Sequence, residues 1–334
     1  MSELSLSDEE RDVILQSRVL PVVFGANREP SADPTFTLVV GQPGAAAARA
    51  TSSVRRDDPR AGIVDTERLR AFHPRYADLL RSRSPRALTL LSEPATYWAA
   101  RSIALARETR HSVLVESSIS SPAHALGLAD SFARSGFSTR VVVVATARAQ
   151  SLLAAASRHL LDRRAGRAGA PPDLARHDES WNAVRALVGG LEASPTVDRL
   201  TLFSDTGASV FDASRSDDRA FAGASRALIA AHSAPMPNAA AMRWLSELRA
   251  ATDYALSEES LDRSTAEVLL ELQTIAASEV LPQITLPADS LARSNAAAAI
   301  VARVEGIRRV VTSRAIDEAG PAITPPDVSI GISR

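Results

Sequence analysis

The segment Gly41 to Ala48, Gly-Gln-Pro-Gly-Ala-Ala-Ala-Ala, carries part of what a phosphate-binding loop requires. Such a loop places Gly, four residues, Gly, Lys and then Ser or Thr between a strand and a helix. Its glycines let backbone N–H groups face the phosphates, its lysine reaches the terminal ones, and its hydroxyl holds magnesium. Here Gly41, Gln42, Pro43, Gly44 and Ala45 keep the turn, while Ala46 stands at the second glycine, Ala47 at the lysine and Ala48 at the hydroxyl. Arg49 is two positions past the lysine site, and on a helix two positions turn through about 200°. Taken alone, the segment fits a ligand-free strand-to-helix turn equally well. Carboxylates supply the other chemistry. Asp65 and Glu67 follow a short apolar run, and Glu116 ends another. Open α/β sheets bind ligands at the carboxyl ends of their strands. A carboxylate there, within hydrogen-bond reach of a hydroxyl, can take its proton; Asp65 or Glu67 can equally cap the helix that follows.

The elements that would position these groups can be read from the pattern. The apolar run Phe36 to Val40 leads into Gly-Gln-Pro-Gly, and Ala45 to Ala50 is strongly helix-prone, so strand, glycine turn and helix follow in order. Further strands are expected at Gly62 to Asp65, Ser112 to Val115, Thr139 to Ala145, Arg199 to Phe203 and Ser209 to Phe211. The uninterrupted valines at 141–144 suit a strand buried on both faces of a parallel sheet. Helical spacing is expected over Ala95 to Arg110 and Ala123 to Arg134. A helix over 7–22 opens at Ser7 with Asp8, Glu9 and Glu10 in its first turn. The alternation predicts a three-layer α/β/α fold with a mostly parallel sheet. Arg163 to Pro172, rich in Arg, Gly and Pro, reads as a mobile loop. We divide the chain into residues 1–214, the α/β domain, and 215–334, a helical C-terminal appendage with helices at Ala239 to Tyr254, Ser260 to Val280 and Ser290 to Ser313. The tail Gly320 to Arg334, with Pro321, Pro325 and Pro326, is expected to be irregular.

Composition narrows the function classes. The 334 residues carry a net charge of −1, and no run of like charge suggests a nucleic-acid arm or a membrane patch. There is no cysteine, and no apolar stretch is long enough to span a bilayer, so a cytoplasmic protein is expected. All 38 basic side chains are arginine, which leaves no lysine to clamp phosphate or form a Schiff base. The six histidines lack metal-ligand spacing, so no metal site is expected. Trp98, Trp181 and Trp244 fall on helical faces and are expected in the core.

With the loop before it and Val115-Glu116-Ser117-Ser118 after it, the run Asp65-Thr-Glu-Arg-Leu-Arg-Ala-Phe-His73-Pro-Arg-Tyr76 resembles the zeta toxin family of bacterial kinases. In that family the loop reads Gly-Gln-Ser/Pro-Gly-Ala-Gly-Lys-Ser/Thr. The second strand leads into Asp-x-Asp-x-x-Arg-x-x-His-Pro-x-Tyr, and the third ends in Glu-Gly-Thr. The resemblance spans about residues 8 to 212 and implies an ATP- and magnesium-dependent kinase. Its acceptor would be a hydroxyl of a UDP-activated amino sugar, chiefly UDP-N-acetylglucosamine, and the expected protein partner is an antitoxin or another protein. Carried over by position, the acid nearest the acceptor hydroxyl falls on Glu67, with Asp65 as the second candidate. Arg70, His73, Glu116 and Ser118 fall on the substrate side. Arg158, and Arg167 or Arg164 in the following loop, fall where the family takes cations for the transferring group. His177-Asp178 reads as a lid hinge or cap. The pairs Ser117-Ser118, in place of Gly-Thr, and Ser120, where some members place Arg, depart from the pattern.

A loop lysine about 4 Å from a phosphate oxygen contributes roughly 4 kcal/mol at an effective dielectric near 20. An exposed helix terminus alone contributes roughly 0.3 to 1 kcal/mol. The side chain dominates, and losing the magnesium hydroxyl removes a template as well. The resemblance therefore implies a kinase that is inactive or much weakened. Three adjacent alanines fit either deliberate inactivation of a toxic kinase or a natural pseudokinase. A non-catalytic module that engages a nucleotide sugar or a partner protein is the alternative.

Overall fold

The computed structural model describes the chain except residues 1–4, 26–29, 83, 85, 120, 217–218, 258–260, 286, 288–289 and 320–334. Ser120 and the tail from Gly320 lie outside the described residues. Six strands form one sheet in the order β2-β3-β1-β4-β5-β6: β1 Thr35–Gly41, β2 Gly62–Asp65, β3 Val113–Ser118, β4 Ser138–Ala145, β5 Arg199–Ser204 and β6 Ser209–Ser214. The first five are parallel, and β6 returns antiparallel on β5. The helices are α1 Asp8–Ile14, α2 Leu20–Phe24, α3 Ala47–Asp57, α4 Thr66–Leu69, α5 Tyr76–Arg81, α6 Ala87–Glu108, α7 Pro122–Arg134, α8 Arg148–Arg164, α9 Leu174–Ala193, α10 Ala224–Ser233, α11 Asn238–Ser257, α12 Arg263–Ile275, α13 Leu281–Gln283 and α14 Leu291–Ala319. Short π-helical turns join α1 to α2 and α12 to α13.

Alternation along the central strands explains the three layers. Phe36, Leu38 and Val40 of β1 and Val141 and Val143 of β4 enter the large core built with α6, α7, α9 and α10. Their neighbours Val39, Val142 and Val144 face the opposite side, against Ala50 and Val54 of α3. Because both faces are covered, the strands read as continuous apolar runs rather than alternating ones. α1 begins on the expected signal: Ser7 Oγ accepts from the Glu10 N–H, and the Ser7 N–H donates back to Glu10 Oε2.

A second core lies beyond the sheet. One face of α8, with Leu152, Leu153, Ala156 and Leu160, packs against α11, with Trp244 and Leu248, and α12, with Leu269 and Leu272, and these two helices pack in turn on α14, which adds Ile300 and Ile307 to the same core. α8 therefore belongs to both halves of the chain, following β4 in the sheet domain and supplying a wall of the helical unit. Two expectations change. The segment read as a mobile loop from Arg163 continues α8 to Arg164 and is then tied down, with the Arg167 N–H on Asp162 O and the Ala168 N–H on Leu80 O. Trp98 and Trp244 are buried as expected, but Trp181 is partly exposed, stacked on His232 with Arg185 over its ring.

Candidate functional site

The register of the sheet brings the candidate residues to one edge. Gly41 at the end of β1 lies opposite Ser118 at the end of β3, and Asp65 at the end of β2 lies opposite Glu116. The loop thus leaves the middle of the sheet immediately beside the carboxylates, where the strand order changes direction.

The loop is closely packed on α8. Gln42 is buried, and its Nε2 donates to Thr146 O at 2.7 Å and to Ser151 Oγ at 3.1 Å. Gly44 adopts φ +82°, and a Cβ there would stand 2.0 Å from Ser151 O, so glycine is required on both counts. Beyond that point the loop closes on its own carbonyls. The Ala45 N–H donates to Gln42 O at 2.9 Å, and the Ala47 N–H donates to Ala45 O at 2.8 Å across an inverse γ-turn at Ala46, φ −78°, ψ 51°. Two N–H groups of the loop are consumed by loop carbonyls. Ala46 caps α3 with no side-chain hydrogen bond, and Ala47 and Ala48 offer only methyl groups. Arg49 reaches away to Asp205 O, at 2.9 Å, in the turn between β5 and β6.

At the edge, Asp65 N-caps α4. Its Oδ1 accepts from the Glu67 and Arg68 N–H groups at 2.9 and 3.3 Å, and its Oδ2 pairs with Arg68 Nε at 3.0 Å. Glu67 is exposed and faces Arg158 of α8, Nη1 to Oε2 at 3.4 Å. Glu116 is partly buried and accepts from Thr51 Oγ1 at 2.8 Å. Burial pushes its carboxyl pKa up; the Thr51 hydrogen bond opposes this, the Asp65 and Glu67 charges add to it, and Arg68 opposes it. Thr51 is the residue the sequence reading missed. It lies four positions past Ala47 on α3, one helical turn on, which places its hydroxyl on the face that meets β3.

His73 is 3% exposed, and its Nδ1 accepts from the Arg75 N–H at 3.1 Å. That bond puts the proton on Nε2, which is buried without a partner; burial and then Arg75 push the pKa down, so the ring is neutral. Arg70 Nε is likewise buried and unpartnered, and Ser118 is exposed at the strand end. The second set of arginines does not join this group. Arg167 is held by Asp162, Nη2 to Oδ1 at 2.6 Å, and Arg164 lies over the Tyr254 ring. Nor is His177-Asp178 a hinge or cap: Asp173 caps α9, and His177 is buried. Among the described residues, no cluster of His, Asp and Glu could hold a metal ion.

The family model for the Zeta toxin matches residues 23–216. This chain belongs to the Zeta toxin family. The match covers the whole sheet, the loop and the carboxylate edge, and stops where α10 to α14 begin to follow. The fold of this Zeta toxin family member is similar to a solved structure from the PezAT chromosomal toxin–antitoxin system of Streptococcus pneumoniae, with TM-score 0.60 at 15% identity over 76% of this chain and 100% of that one. A structure of the AvrRxo1-ORF1:AvrRxo1-ORF2 complex aligns over 89% of this chain and 88% of that one, at 14% identity and TM-score 0.48. A form of the same complex with ATP aligns over 90% and 87%, at 12% identity and TM-score 0.48. No curated protein sequence matches the chain.

Proposed function

We propose that this chain is a zeta-type kinase in architecture, built to phosphorylate a hydroxyl of UDP-N-acetylglucosamine or a related UDP-activated amino sugar, and that its alanine loop leaves it inactive or much weakened. The observation that carries this reading is the register-matched edge: Glu116 stands one strand from the loop, Asp65 and Glu67 stand at the end of the next strand out, and Arg158 faces Glu67. Glu67 is the better base. Its carboxylate is exposed and shares only a long ion pair, whereas both oxygens of Asp65 are occupied by the cap and by Arg68. Arg158 supplies positive charge beside the base, Glu116, Arg70 and Ser118 line the acceptor side, and His73, 3% exposed, supports that edge without touching the acceptor. The natural partner is an antitoxin, and the setting is cytoplasmic, where UDP-sugars are made; among the described residues no helix is long and apolar enough to cross a membrane.

The family's ATP and magnesium do not fit the loop as it stands. Two N–H groups are turned onto loop carbonyls, no lysine or hydroxyl follows, and Thr51, the next hydroxyl on the site face, is committed to Glu116. We therefore assign no transfer step to this chain. The closed loop favours a second reading, a non-catalytic module that holds a nucleotide sugar on the intact edge or engages a partner protein. One experiment separates them. The triple variant Ala46→Gly, Ala47→Lys, Ala48→Ser is assayed for ATP binding and for ATP-dependent phosphorylation of UDP-N-acetylglucosamine. The kinase reading expects both to appear, with Glu67→Gln in that background abolishing turnover but not ATP binding. Absence of ATP binding and turnover in the triple variant rejects it in favour of the binding module.

A further inference from the structure

A continuous chain of polar contacts runs from the loop to the C-terminal helices. Gln42 Nε2 donates to Ser151 Oγ at 3.1 Å, and Ser151 Oγ meets His177 Nε2 at 3.0 Å. His177 Nδ1 meets Asp178 Oδ1 at 3.2 Å. Both oxygens of Asp178 are taken by Arg148, from Nε at 2.7 Å and from Nη2 at 2.8 Å, and Arg148 Nη1 donates to Glu271 Oε1 of α12 at 2.7 Å.

The proton assignments follow from the partners. A carboxylate only accepts, so His177 Nδ1 carries the proton and donates to Asp178; Nε2 then accepts, and Ser151 donates to it while receiving the Gln42 amide. Burial pushes the His177 pKa down, against the opposing pull of Asp178, which keeps the ring in this neutral form. An Asp-His-Ser arrangement in a cleft would suggest a nucleophile. Here Ser151 is 0% exposed and His177 is 2% exposed, so no substrate reaches either. Each group has one role, to fix its neighbour.

We infer that the C-terminal helical unit acts as a built-in brace for the loop, with Glu271, Arg148, Asp178, His177 and Ser151 as positioning residues that hold Gln42, and through it Gly41 to Ala48, in place without a bound nucleotide. Three features converge on this. The chain ends on Gln42, whose amide also donates to Thr146 O, the residue immediately after β4. Gly44 sits directly against Ser151 O and the Ala155 N–H on the same helix, so any shift of α8 moves the loop. α8 itself is walled by α11 and α12, through the second core and through Trp244 Nε1, which donates to Ala149 O at 3.1 Å. No lysine anchors this loop, and among the described residues Gln42 supplies its buried side-chain bonds. The inference rests on the fold geometry and stands whether or not the kinase reading does.

Spatial continuity alone does not establish energetic coupling, so the test measures coupling. Amide hydrogen exchange of the peptide spanning 41–50 is followed in the full-length protein for Glu271→Ala, Arg148→Met and Gln42→Met, singly and combined. Arg303→Met serves as the control, since it breaks the Asp253 pair in the same helical unit without touching the chain. The brace predicts at least threefold faster loop exchange in Glu271→Ala and in Arg148→Met, and wild-type loop exchange in Arg303→Met. It also predicts no further increase when Glu271→Ala is added to Gln42→Met. Unchanged loop exchange in Glu271→Ala, an equal rise in Arg303→Met, or fully additive effects would overturn it. If Glu271→Ala does not fold, Glu271→Gln, which keeps an acceptor for Arg148 but removes the charge, carries the same comparison with a smaller rise expected.

Discussion

The loop at 41–48 and the carboxylate edge at 65–76 and 116 sit side by side on one sheet, yet they have diverged in opposite ways. In the loop Gly41, Gln42 and Gly44 are packed and bonded, while the positions of the second glycine, the lysine and the hydroxyl, Ala46, Ala47 and Ala48, carry only methyl groups. The edge carries polar groups that cost stability, a partly buried Glu116 carboxylate and a buried unpartnered nitrogen on His73. Residues that cost stability and are still present point to use, and the difference points to the carboxylate edge rather than the loop.

The strongest way to break this comparison is at Gly44. If the loop's shape were a leftover with no role in the fold, Gly44→Ala would be mild. The structure predicts the reverse. A methyl group 2.0 Å from Ser151 O, on a residue at φ +82°, forces α8 or the loop to move. Urea denaturation should register a loss of about 3 kcal/mol or more. Ala46→Gly should cost about 1 kcal/mol or less, because its side chain makes no cap. Similar losses for the two variants would mean that the loop is not held as described.

A second test concerns acid. His73 has its folded pKa pushed below the ordinary value near 6.5, so it is neutral in the fold and binds protons more readily when unfolded. Its contribution to stability is therefore fully present above about pH 6.5 and is lost as pH falls from there through the folded pKa. His73→Asn, which keeps an acceptor for the Arg75 N–H, should fold at pH 7 and lose less stability between pH 7 and 5 than the wild type. His177 and His232 are depressed too, His232 to about 4 by burial and by Arg185, so the wild-type slope is a sum and only the difference between the two proteins isolates the edge.

Glu116 gives a smaller effect of opposite sign. A carboxyl whose folded pKa is raised is destabilising when charged, and that cost disappears as pH falls through the folded pKa. Glu116→Gln should therefore raise stability at pH 7 by on the order of 1 kcal/mol and flatten the acid side of the profile. Thr51→Val should push the Glu116 pKa higher still, visible in a carboxyl carbon titration, because it removes the one hydrogen bond that lowers it. A less stable Glu116→Gln would make this carboxylate a structural group and weaken the contrast between the two regions.

How much of this was legible in the sequence follows from which forces are local. The strands were readable because two-sided burial writes itself as unbroken apolar runs: Gly62 to Asp65 matches β2, and Thr139 to Ala145 falls within β4. α6 begins at Ala87, two turns before the expected Ala95, because Pro94 reads as a breaker but sits inside the helix, buried in the core. The carboxylates were visible as types at strand ends. What was not visible was who holds them. Thr51 and Glu116 are 65 positions apart, Gln42 and Ser151 are 109, and Arg148 and Glu271 are 123. Spacing rules reach one or two helical turns, so pairs made by tertiary packing leave no local mark. Arg167 failed to join the cleft for a local reason that was overlooked: Asp162, five residues earlier, is close enough to claim it.

The smallest stability effect belongs to the residue with the largest expected catalytic one. Glu67 and Arg158 are 68% and 65% exposed at the side chain and 3.4 Å apart, the kind of pair whose net contribution is roughly 0 to 1 kcal/mol. Glu67→Gln and Arg158→Ala should each leave the urea midpoint nearly where it was, within about 0.5 kcal/mol. This near-silence is what makes them useful. At Glu116 or His73 a change in ligand binding could be confused with a change in folding, but at Glu67 it could not. UDP-N-acetylglucosamine binding measured by calorimetry on the unmodified loop then becomes a clean reading of the edge alone. Glu67→Gln should preserve binding within a few fold if Glu67 is a base that acts only on transfer. A loss of binding without loss of stability would instead make it part of the recognition surface, and would shift the base to Asp65 despite its two occupied oxygens.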